Sequence, residues 1–301
     1  MFTCRLCNGS DVSLIHKGTR DRSDVDVLKC NLCGLVFLSQ VATDDSYYAD
    51  GQMMPGVDFD RWRKNSFADD SRRFTNFKHL IQDKTILDFG CGNGGFLKLA
   101  HGEWTQSGLA VRPRRLVGVD LDKESVRRIQ NDGIECYGDI RELPDIKFDV
   151  IFLFHVVEHL ADPGTILCAL ADHLSDGGII VIETPNADDA LLSIYHCDKF
   201  ADFTYWSPHI CLYNEQTLRQ MLEKAGFEVK DMLQEQRYPL ANHLRWLAKG
   251  LPGGGVVELQ ELNAPEVNAV YAQLLRKQKA CDTLVCMASK RASGIKSKWQ
   301  K

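Results

Sequence analysis

Residues 85–95 read Thr-Ile-Leu-Asp-Phe-Gly-Cys-Gly-Asn-Gly-Gly, and this stretch decides the fold of the chain. It begins as an apolar strand, passes through a glycine turn and enters a helical pattern that starts at Phe96. Glycines permit a tight turn and a close approach of the backbone to a ligand, and the free amides of a helix N-terminus suit an electronegative group. The stretch therefore predicts a strand, a ligand-binding loop and a helix.

The glycine spacing does not choose the ligand. Gly90, Gly92 and Gly95 fit the G-x-G-x-x-G fingerprint of dinucleotide-binding proteins. If Gly94 replaces Gly95 in the count, the same loop reads G-x-G-x-G. The spacing is thus equally compatible with more than one adenosine-containing cofactor.

Two later carboxylates are more informative. The next strand, residues 115–119, leads into Asp120, which is placed to accept both hydroxyls of a ribose and disfavours a 2′-phosphate. A third strand near residues 134–137 precedes Asp139, whose carboxylate and neighbouring amide are placed to read the edge of an adenine. Each aspartate could also be a solvated cap or turn residue, but their order along the chain favours a nucleoside site.

The remaining strands predict an α/β fold with a parallel, doubly wound sheet. Residues 148–154 are almost continuously apolar, as expected of a strand buried on both faces, and residues 178–183 form a fifth strand. The last strand is predicted at residues 283–288.

Taken together, residues 84–290 resemble the class I S-adenosylmethionine (SAM) dependent methyltransferases. The matching segments are LDFGCGNGGFL, VGVDLD, FDVIFLFHVVEHLADP, LSDGGIIVIETPN and WSPHICLYNEQTLRQMLEKAGFEV. The resemblance implies a Rossmann-like sheet of seven strands and SAM as the cofactor. It implies that the methionine part of SAM is held by Asp88, Gly90 and Gly92, the ribose by Asp120, and the adenine by Asp139 and Ile140. It also implies that the cofactor site includes Cys91, Leu121 and Phe154.

The predicted catalytic residues follow the fourth strand, at the carboxyl edge where open α/β sheets bind ligands. An imidazole titrates near neutral pH and can take a proton from a hydroxyl or ammonium as the sulfonium methyl departs. His155 is therefore the predicted base, although correct alignment of acceptor and methyl group can supply much of the rate without a strong base.

Two other interpretations of this region stay open. His155, Glu158, His159 and the distant His209 form a set of ligands suited to a divalent cation such as Mg²⁺. The small-RNA 2′-O-methyltransferase family has a similar metal-binding arrangement, except that its pattern carries a glutamate at the position of His155. Alternatively, Glu158 and His159 only cap and order the loop before a helix at Pro163.

Residues 184–213 and 234–282 look inserted around the sheet and predict a lid over an acceptor pocket. The first insertion carries side chains that can stack on a sugar or aromatic ring: Tyr195, His196, Phe200, Phe203, Tyr205, Trp206 and His209. Such a cluster can also be plain core. Its position before a capped helix beginning at Asn214 favours the lid. The second insertion reads as helical, with a break at residues 252–255.

Two C-x2-C pairs stand near the start of the chain, Cys4 with Cys7 and Cys30 with Cys33. Four cysteine ligands are typical of a closed, structural zinc site, whose metal supplies roughly 10 kcal/mol or more of folding free energy. Residues 1–40 are thus predicted to be a zinc ribbon that takes no part in the chemistry. A connecting helical segment at 41–82, the methyltransferase domain at 83–290 and a basic tail at 291–301 complete the predicted organisation.

Composition restricts the partners. The formal charge of −5 creates no field that attracts polyanions, and the basic residues of the ribbon are balanced by aspartates, so nucleic acid is not favoured. The N-terminus has no basic-then-apolar signal, and no run of 18 apolar residues occurs. These features predict a protein of the reducing cytoplasm without a membrane span, and they leave the oligomeric state open.

The ribbon and the core together resemble bacterial methyltransferases of sugar and polysaccharide pathways. This resemblance implies a small-molecule or glycan acceptor. Sugar C-methyltransferases of that group carry an additional C-terminal domain, for which this sequence shows no counterpart. We therefore predict O-methylation of a hydroxyl and not C-methylation. The alternatives are an enzyme like the RNA 2′-O-methyltransferases, with the ribbon binding RNA, and a quinone or phenol O-methyltransferase.

Overall fold

The computed structural model of this protein describes residues 2–41, 45–49, 59–102, 111–253 and 263–291. Its strands, in chain order, are β1 (Val12–His16), β2 (Val27–Cys30), β3 (Val36–Leu38), β4 (Thr85–Phe89), β5 (Arg115–Val119), β6 (Glu135–Tyr137), β7 (Phe148–Phe154), β8 (Leu174–Pro185), β9 (Cys211–Leu212), β10 (Phe227–Glu235) and β11 (Thr283–Lys290). The predicted glycine break lies partly, and the predicted basic tail almost wholly, outside the described residues.

The helices are α1 (Asp45–Ala49), α2 (Phe59–Phe77), α3 (Gly95–His101), α4 (Lys123–Asn131), α5 (Pro163–His173), α6 (Ala190–Ser193), α7 (Asp198–Thr204), α8 (Glu215–Lys224), α9 (Leu240–Lys249) and α10 (Pro265–Gln278). Helix α8 begins where the sequence predicts it, because Asn214 accepts a hydrogen bond from the Thr217 amide and Thr217 reciprocates in a capping box. None of the described helices combines the length and the apolar character needed to cross a membrane.

Seven strands form one sheet in the order β10-β11-β8-β7-β4-β5-β6. Strands β4, β5, β6, β7 and β8 all run parallel to one another. Strand β11 runs antiparallel to both β8 and β10. The predicted seven-stranded, doubly wound α/β fold is confirmed. The sheet is mixed, however, and not wholly parallel, because its last two strands, β10 and β11, form an antiparallel pair at one edge.

Strand β7 shows how the sheet is covered on both faces. All of its residues except Asp149 are buried. Ile151 and Leu153 belong to the apolar cluster that includes helices α5 and α8, whereas Phe152 and Phe154 belong to the cluster that includes α3 and α4. Successive side chains of a strand point to opposite faces, so a strand between two helical layers must be apolar throughout.

The N-terminal ribbon shares a sheet with the catalytic region. Strands β1, β2, β3 and β9 form a four-stranded antiparallel sheet in which Phe37 of the ribbon pairs with Cys211. Cys4, Cys30 and Phe37 belong to the same buried cluster as Leu153 of the central sheet. The predicted zinc ribbon is therefore packed into the core of the protein.

The second insertion contains a buried histidine. His243 on α9 is 1% exposed, and its Nδ1 lies 2.8 Å from the hydroxyl of Tyr271 on α10. Its Nε2 faces the side-chain amide nitrogen of Gln236 at 3.3 Å, and the Gln236 oxygen accepts from the Asp282 amide. Because an amide N–H points at Nε2, that nitrogen carries a lone pair. Burial lowers the pKa of His243 to about 4, and the nearby charge of Asp282 offsets this only in part.

We expect this histidine to make the protein less stable in mild acid. The pKa of an unfolded histidine is near 6.5, so below that pH the unfolded chain binds a proton that the folded chain refuses. His243 therefore stabilises the fold above pH 6.5, and that stabilisation is lost as the pH falls, by about 2 kcal/mol between pH 7 and 5. Urea unfolding at the two pH values should show a smaller pH dependence for His243→Asn than for wild type. The half-exposed His173, changed to Gln, is the control, and equal pH dependence of all three proteins would contradict the expectation.

Candidate active site

The glycine loop connects β4 to α3 as the sequence predicts. Gly90, Gly92 and Gly94 have positive φ angles of 75°, 54° and 73°. A Cβ atom on Gly90 would lie 2.4 Å from Cγ2 of Val156, and one on Gly94 would lie 2.7 Å from Ile129. Both positions thus need glycine for conformation and for space. The contact with Val156 also places the loop directly against the segment that follows β7.

Two carboxylates lie at this loop, that of Asp88 buried and that of Asp120 partly buried. Oδ1 of Asp88 is buried without a hydrogen-bond partner among the described residues, and burial raises the pKa of Asp88 to about 8 although Arg73 lowers it. Asp120 directly follows β5, and its Oδ2 accepts from the Gly92 amide at 2.7 Å. Its Oδ1 accepts from the Asp122 amide at 2.9 Å, and burial raises its pKa. Each oxygen of Asp120 keeps a further lone pair for a ligand hydroxyl.

The predicted adenine-binding residues lie at the end of β6. Asp139 caps the 3-10 turn Ile140–Glu142 and forms an ion pair with Arg141, at 2.6 Å from Nη2 of the guanidinium. That ion pair lowers the pKa of Asp139, first through the hydrogen bond from Arg141. Ile140 is partly buried against the main apolar cluster. The carboxylate of Asp139 is thus already occupied by the amide and the guanidinium of Arg141.

The three remaining residues that were predicted to contact the cofactor are Cys91, Phe154 and Leu121. Sγ of Cys91, in the glycine loop, lies 3.9 Å from Sγ of Cys136. The ring of Phe154, at the end of β7, is 4.9 Å from the ring of Phe96 and 4.9 Å from the guanidinium carbon of Arg73. Leu121 follows Asp120 and is partly buried.

These residues fit SAM. They lie at the carboxyl edge of β4, β5, β6 and β7, where an open parallel sheet binds its ligand. Oδ1 of Asp88, which has no hydrogen-bond partner within the described part of the chain, is a buried acceptor that requires a donor, and the ammonium group of a methionine moiety is one.

His155 adopts an uncommon backbone conformation, with φ of 57°. Its Nδ1 lies 3.1 Å from Oε1 of Glu158. Its Nε2 lies 3.4 Å from Oε1 of Glu183, outside hydrogen-bond geometry, so Nε2 has no hydrogen-bond partner among the described residues. Strained backbone is common at functional sites, where the surrounding structure holds it in place. The ring is thus oriented through Nδ1, as in sites where a carboxylate selects the tautomer of a histidine.

Glu158 is fully buried, and both of its oxygens are bonded. Oε1 faces His155, and Oε2 accepts from the hydroxyl of Thr184 at 2.9 Å. Burial would raise the pKa of Glu158, but the hydrogen bond with His155 and the charges of nearby imidazoles lower it to about 2. The helix after this loop is capped by Asp162, which accepts from the Thr165 amide at 3.1 Å. Glu158 and His159 are therefore not the caps of that helix.

The sequence reasoning missed Glu183 and its two arginines. Glu183, in β8, is fully buried, and Nη2 of Arg72 donates to both of its oxygens at 2.9 Å. Nε of Arg73 donates to Oε1 at 2.9 Å. Burial would raise the pKa of Glu183, but the nearby imidazole of His155 and the charges of the two arginines hold it well below its ordinary value. A charged residue directly after the apolar run 179–182 was the available signal, together with the adjacent arginines of α2.

A second group of rings surrounds His159. The ring centroids of His159 and His209 are 4.9 Å apart, and Trp206 lies 5.4 Å from His209. Nδ1 of His159 lies 3.0 Å from the carbonyl oxygen of Pro208 and 3.4 Å from the hydroxyl of Tyr48. Burial lowers the pKa of His209 to about 3, so its imidazole is neutral. No sequence pattern predicted that Tyr48, from the connecting segment, would lie at this site.

Only part of the predicted aromatic lid faces this group. Trp206 and His209 do, whereas Phe200 and Phe203 pack on Trp246 of α9. The other aromatic side chains of the insertion have different neighbours. The hydroxyl of Tyr195 lies 3.1 Å from that of Tyr271, Tyr205 stacks near His16 of the ribbon, and Nδ1 of His196 lies 3.1 Å from the Leu192 carbonyl oxygen. Of these side chains Tyr205 is buried, whereas Tyr195, His196 and Phe203 are exposed, so the insertion does not form one continuous lid over the site.

The four ribbon cysteines converge as predicted. Sγ of Cys4 lies 3.5 Å from Sγ of Cys33, and Sγ of Cys7 lies 3.5 Å from Sγ of Cys30. All four sulfur atoms lie within 4.8 Å of one another, which fits a tetrahedral zinc ion.

The ribbon also holds the segment that carries Trp206 and His209. The guanidinium carbon of Arg20 lies 4.4 Å from the ring centroid of Trp206. Asp21 accepts two hydrogen bonds from Ser207, from the hydroxyl at 2.6 Å and from the amide at 3.0 Å. The predicted zinc site is thus separate from the catalytic edge, but its ribbon supports one wall of the candidate site.

Residues 59–231 match a protein family described as a methyltransferase domain. A curated relative from Mycolicibacterium smegmatis, described as a probable S-adenosylmethionine-dependent methyltransferase, is 28% identical over 53% of this chain and 58% of its own length. A tRNA U34 carboxymethyltransferase from Campylobacter fetus is 26% identical over 76% of this chain and 82% of its own length. The chain thus spans little more than half the length of the first of these relatives. The crystal structure of a SAM-dependent methyltransferase from Archaeoglobus fulgidus is 21% identical, with a TM-score of 0.48 over 80% of this chain and 98% of that chain.

Proposed function

This chain belongs to the family of methyltransferase domains, and on that premise we propose that it transfers a methyl group from SAM to a hydroxyl of a small polar acceptor, a sugar or glycan. SAM, when bound, supplies a methyl group on a positively charged sulfur. The residues of this chain bind the cofactor, align the acceptor and accept a proton.

The cofactor-binding role falls to the residues at the carboxyl edge of the sheet. The carboxylate of Asp120 would accept hydroxyls of the ribose, and the buried Oδ1 of Asp88 would accept from the ammonium group. The glycine loop can bring backbone amides close to the ligand, since its three positive φ angles favour glycine and a Cβ atom at Gly90 or Gly94 would clash with Val156 or Ile129.

The observation that carries the proposal is the orientation of His155 beside the cofactor loop. Glu158 holds Nδ1, which leaves Nε2 with a lone pair and without a hydrogen-bond partner among the described residues. The next residue, Val156, touches Gly90 of the loop. Nε2 itself is buried and lies 3.4 Å from Oε1 of Glu183. A histidine that is fixed by a carboxylate and keeps an unbonded lone pair on its second nitrogen is suited to take a proton from a hydroxyl, and such catalysis contributes roughly 100- to 10,000-fold to the rate.

The nature of the acceptor is inferred from the walls of the site. Trp206 provides an aromatic face, and Tyr48, His159 and His209 provide polar groups within one cluster. Aromatic faces combined with a few polar groups suit the apolar and hydroxylated faces of a sugar ring.

The cofactor assignment predicts the effect of one substitution. Asp120→Ala removes a carboxylate that would bond two ribose hydroxyls, and hydrogen bonds to charged groups contribute about 1.5–3 kcal/mol each. We expect SAM to bind at least roughly tenfold more weakly in isothermal titration, since 1.4 kcal/mol corresponds to a factor of ten. The exposed Asp172, changed to Ala, should bind SAM as wild type does. Binding of NAD in place of SAM, or unchanged affinity in Asp120→Ala, would refute the assignment.

Transfer of an isotopically labelled methyl group tests the acceptor. The full chain is incubated with labelled SAM and, separately, with nucleotide sugars, extracted glycans, phenols and tRNA. We expect label in an acid-stable O-methyl sugar, reduced at least roughly 100-fold in His155→Gln. Label in phenols or RNA alone, or no label in any pool while SAM binds, would contradict the proposal.

An RNA acceptor is the second candidate, because several similar proteins, such as that of Campylobacter fetus, are described as tRNA U34 carboxymethyltransferases. The net charge of −5 weighs against it. RNA binding that weakens steeply as salt rises would favour this candidate, since phosphate contacts release counterions.

A further inference from the structure

A second group of potential metal ligands lies beside His155. Within the described residues, each of Glu158, His159 and His209 offers a ligand atom, and these atoms lie within 4.8 Å of one another. The group joins two separate parts of the chain, since Glu158 and His159 follow β7 and His209 precedes β9.

His209 is the member that most needs a partner. Its Nδ1 is buried and has no hydrogen-bond partner among the described residues. Leaving a buried polar nitrogen unbonded costs about 1–3 kcal/mol. A metal ion at the centre of the group would satisfy this atom.

His159 is already oriented as metal ligands commonly are. Its Nδ1 lies 3.0 Å from the carbonyl oxygen of Pro208, which can only accept, so Nδ1 carries the proton and Nε2 carries the lone pair. Histidine ligands usually donate their second N–H to a carbonyl or carboxylate, which fixes the ring and the tautomer. Because Pro208 immediately precedes His209, one short segment supplies both a ligand and the support for another.

The carboxylate of Glu158 is the negatively charged member of the group. Its two oxygens each hold one hydrogen bond, with His155 and Thr184, and each oxygen has a further lone pair. His155 itself is not a member of the group, because its Nδ1 is directed at Glu158. The four-residue ligand set that the sequence suggested is thus reduced to three residues.

We propose that Glu158, His159 and His209 bind a divalent transition-metal ion of the Zn²⁺, Fe²⁺ or Mn²⁺ type. Two imidazoles and one carboxylate suit such ions, whereas Mg²⁺ prefers oxygen ligands in a regular octahedron. Three protein ligands leave coordination positions open. This inference rests on the proposed function, in which an acceptor hydroxyl occupies an open position and becomes more acidic beside His155.

The test measures metal content and not activity. The full chain is dialysed against a weak chelator that leaves the four-cysteine zinc in place, and is then titrated with Zn²⁺ against a chromophoric indicator. We expect two zinc ions per wild-type chain, and one in His209→Ala and in Glu158→Gln, with the second affinity reduced at least roughly 100-fold. The half-exposed His173, changed to Gln, should retain two.

Cobalt distinguishes the two sites spectroscopically. Co²⁺ bound by thiolates has an intense sulfur-to-metal charge-transfer band, so the second equivalent of Co²⁺ should add absorbance without that band. If His209→Ala fails to fold, Glu158→Gln keeps the shape of the buried side chain and decides the question.

A single metal ion per wild-type chain would overturn the inference, and so would a second ion that persists in both Glu158→Gln and His159→Ala. SAM titration is run in parallel. If SAM-dependent methyl transfer occurs without a second metal, only this inference fails. If the second metal binds but no acceptor is methylated, the proposed function fails and the metal site stands.

Discussion

Cys30→Ser is expected to release the ribbon zinc and to destabilise the catalytic region as well as the ribbon. Zinc-binding free energies at comparable sites are about 10–16 kcal/mol. A decrease of even about 3 kcal/mol in the free energy of unfolding would lower the melting temperature by roughly 6–12 °C in a domain of 150–250 residues, and somewhat less in a larger one. The effect extends beyond the ribbon because Cys30 and Phe37 share a buried cluster with Leu153 of the central sheet.

The same substitution should disturb the wall of the acceptor site. The backbone amide of Leu38 donates to the carbonyl oxygen of Ile210 at 3.0 Å, and Asp21 holds Ser207, so the ribbon brackets His209 from both sides. Without the ribbon, the segment around His209 loses the contacts that order it. The second metal ion should therefore bind more weakly in Cys30→Ser, although none of the residues proposed to bind it has been changed.

Calorimetry and elemental analysis measure both effects. Cys168→Ser is the matched control, because Cys168 is a partly buried thiol of α5 outside the cluster. The expectation fails if Cys30→Ser retains its zinc, or if it loses zinc but melts within about 1 °C of the control.

Glu183→Ala is expected to cost about 3–5 kcal/mol of unfolding free energy, as does breaking a buried ion pair by removing one partner. Glu183 is fully buried and accepts hydrogen bonds from both Arg72 and Arg73. Asp69 and Asp70 lie 3.3 and 3.2 Å from those arginines and would compensate in part, so the lower end of the range is expected.

An exposed pair of the same type provides the control. Arg115 donates to Glu135 at 2.7 Å, with side chains 39% and 31% exposed, so Glu135→Ala should cost less than about 1 kcal/mol. Urea unfolding at pH 7 measures both variants. Similar losses in the two would show that the network of Glu183 is no more stabilising than a surface contact.

The contribution of Glu183 also has a definite pH dependence. The folded pKa of Glu183 is held well below its ordinary value, so its stabilisation is complete above about pH 4.5 and declines only as the pH falls towards the folded pKa. The difference between wild type and Glu183→Ala should therefore be constant from pH 5 to 8 and shrink in stronger acid.

Local patterns were enough to predict several parts of the protein. The glycine loop after β4, the aspartate after β5 and the cap at Asn214 each depend on residues close together in the chain. The cysteine pairs likewise predict a metal site, because C-x2-C spacing places two thiolates side by side. Hydrophobic periodicity placed the buried strand β7, and with it the carboxyl edge where His155 lies.

Contacts between distant segments could not be read in this way. Tyr48 meets His159 across 111 positions, and Arg72 meets Glu183 across the same separation. The aromatic insertion shows the limit most clearly, since composition alone does not say that Trp206 faces the site whereas Phe200 packs on Trp246.

The sequence by itself determined the doubly wound fold and the convergence of the four ribbon cysteines, because each is encoded by short-range spacing and by strand order. Only the tertiary structure decided that the ribbon joins β9, that Glu183 lies opposite His155, and that His209 reaches Glu158 and His159. The reason is physical. A side chain of given chemistry can be core, cap or ligand, and the choice depends on which partners the folded chain brings within bonding distance.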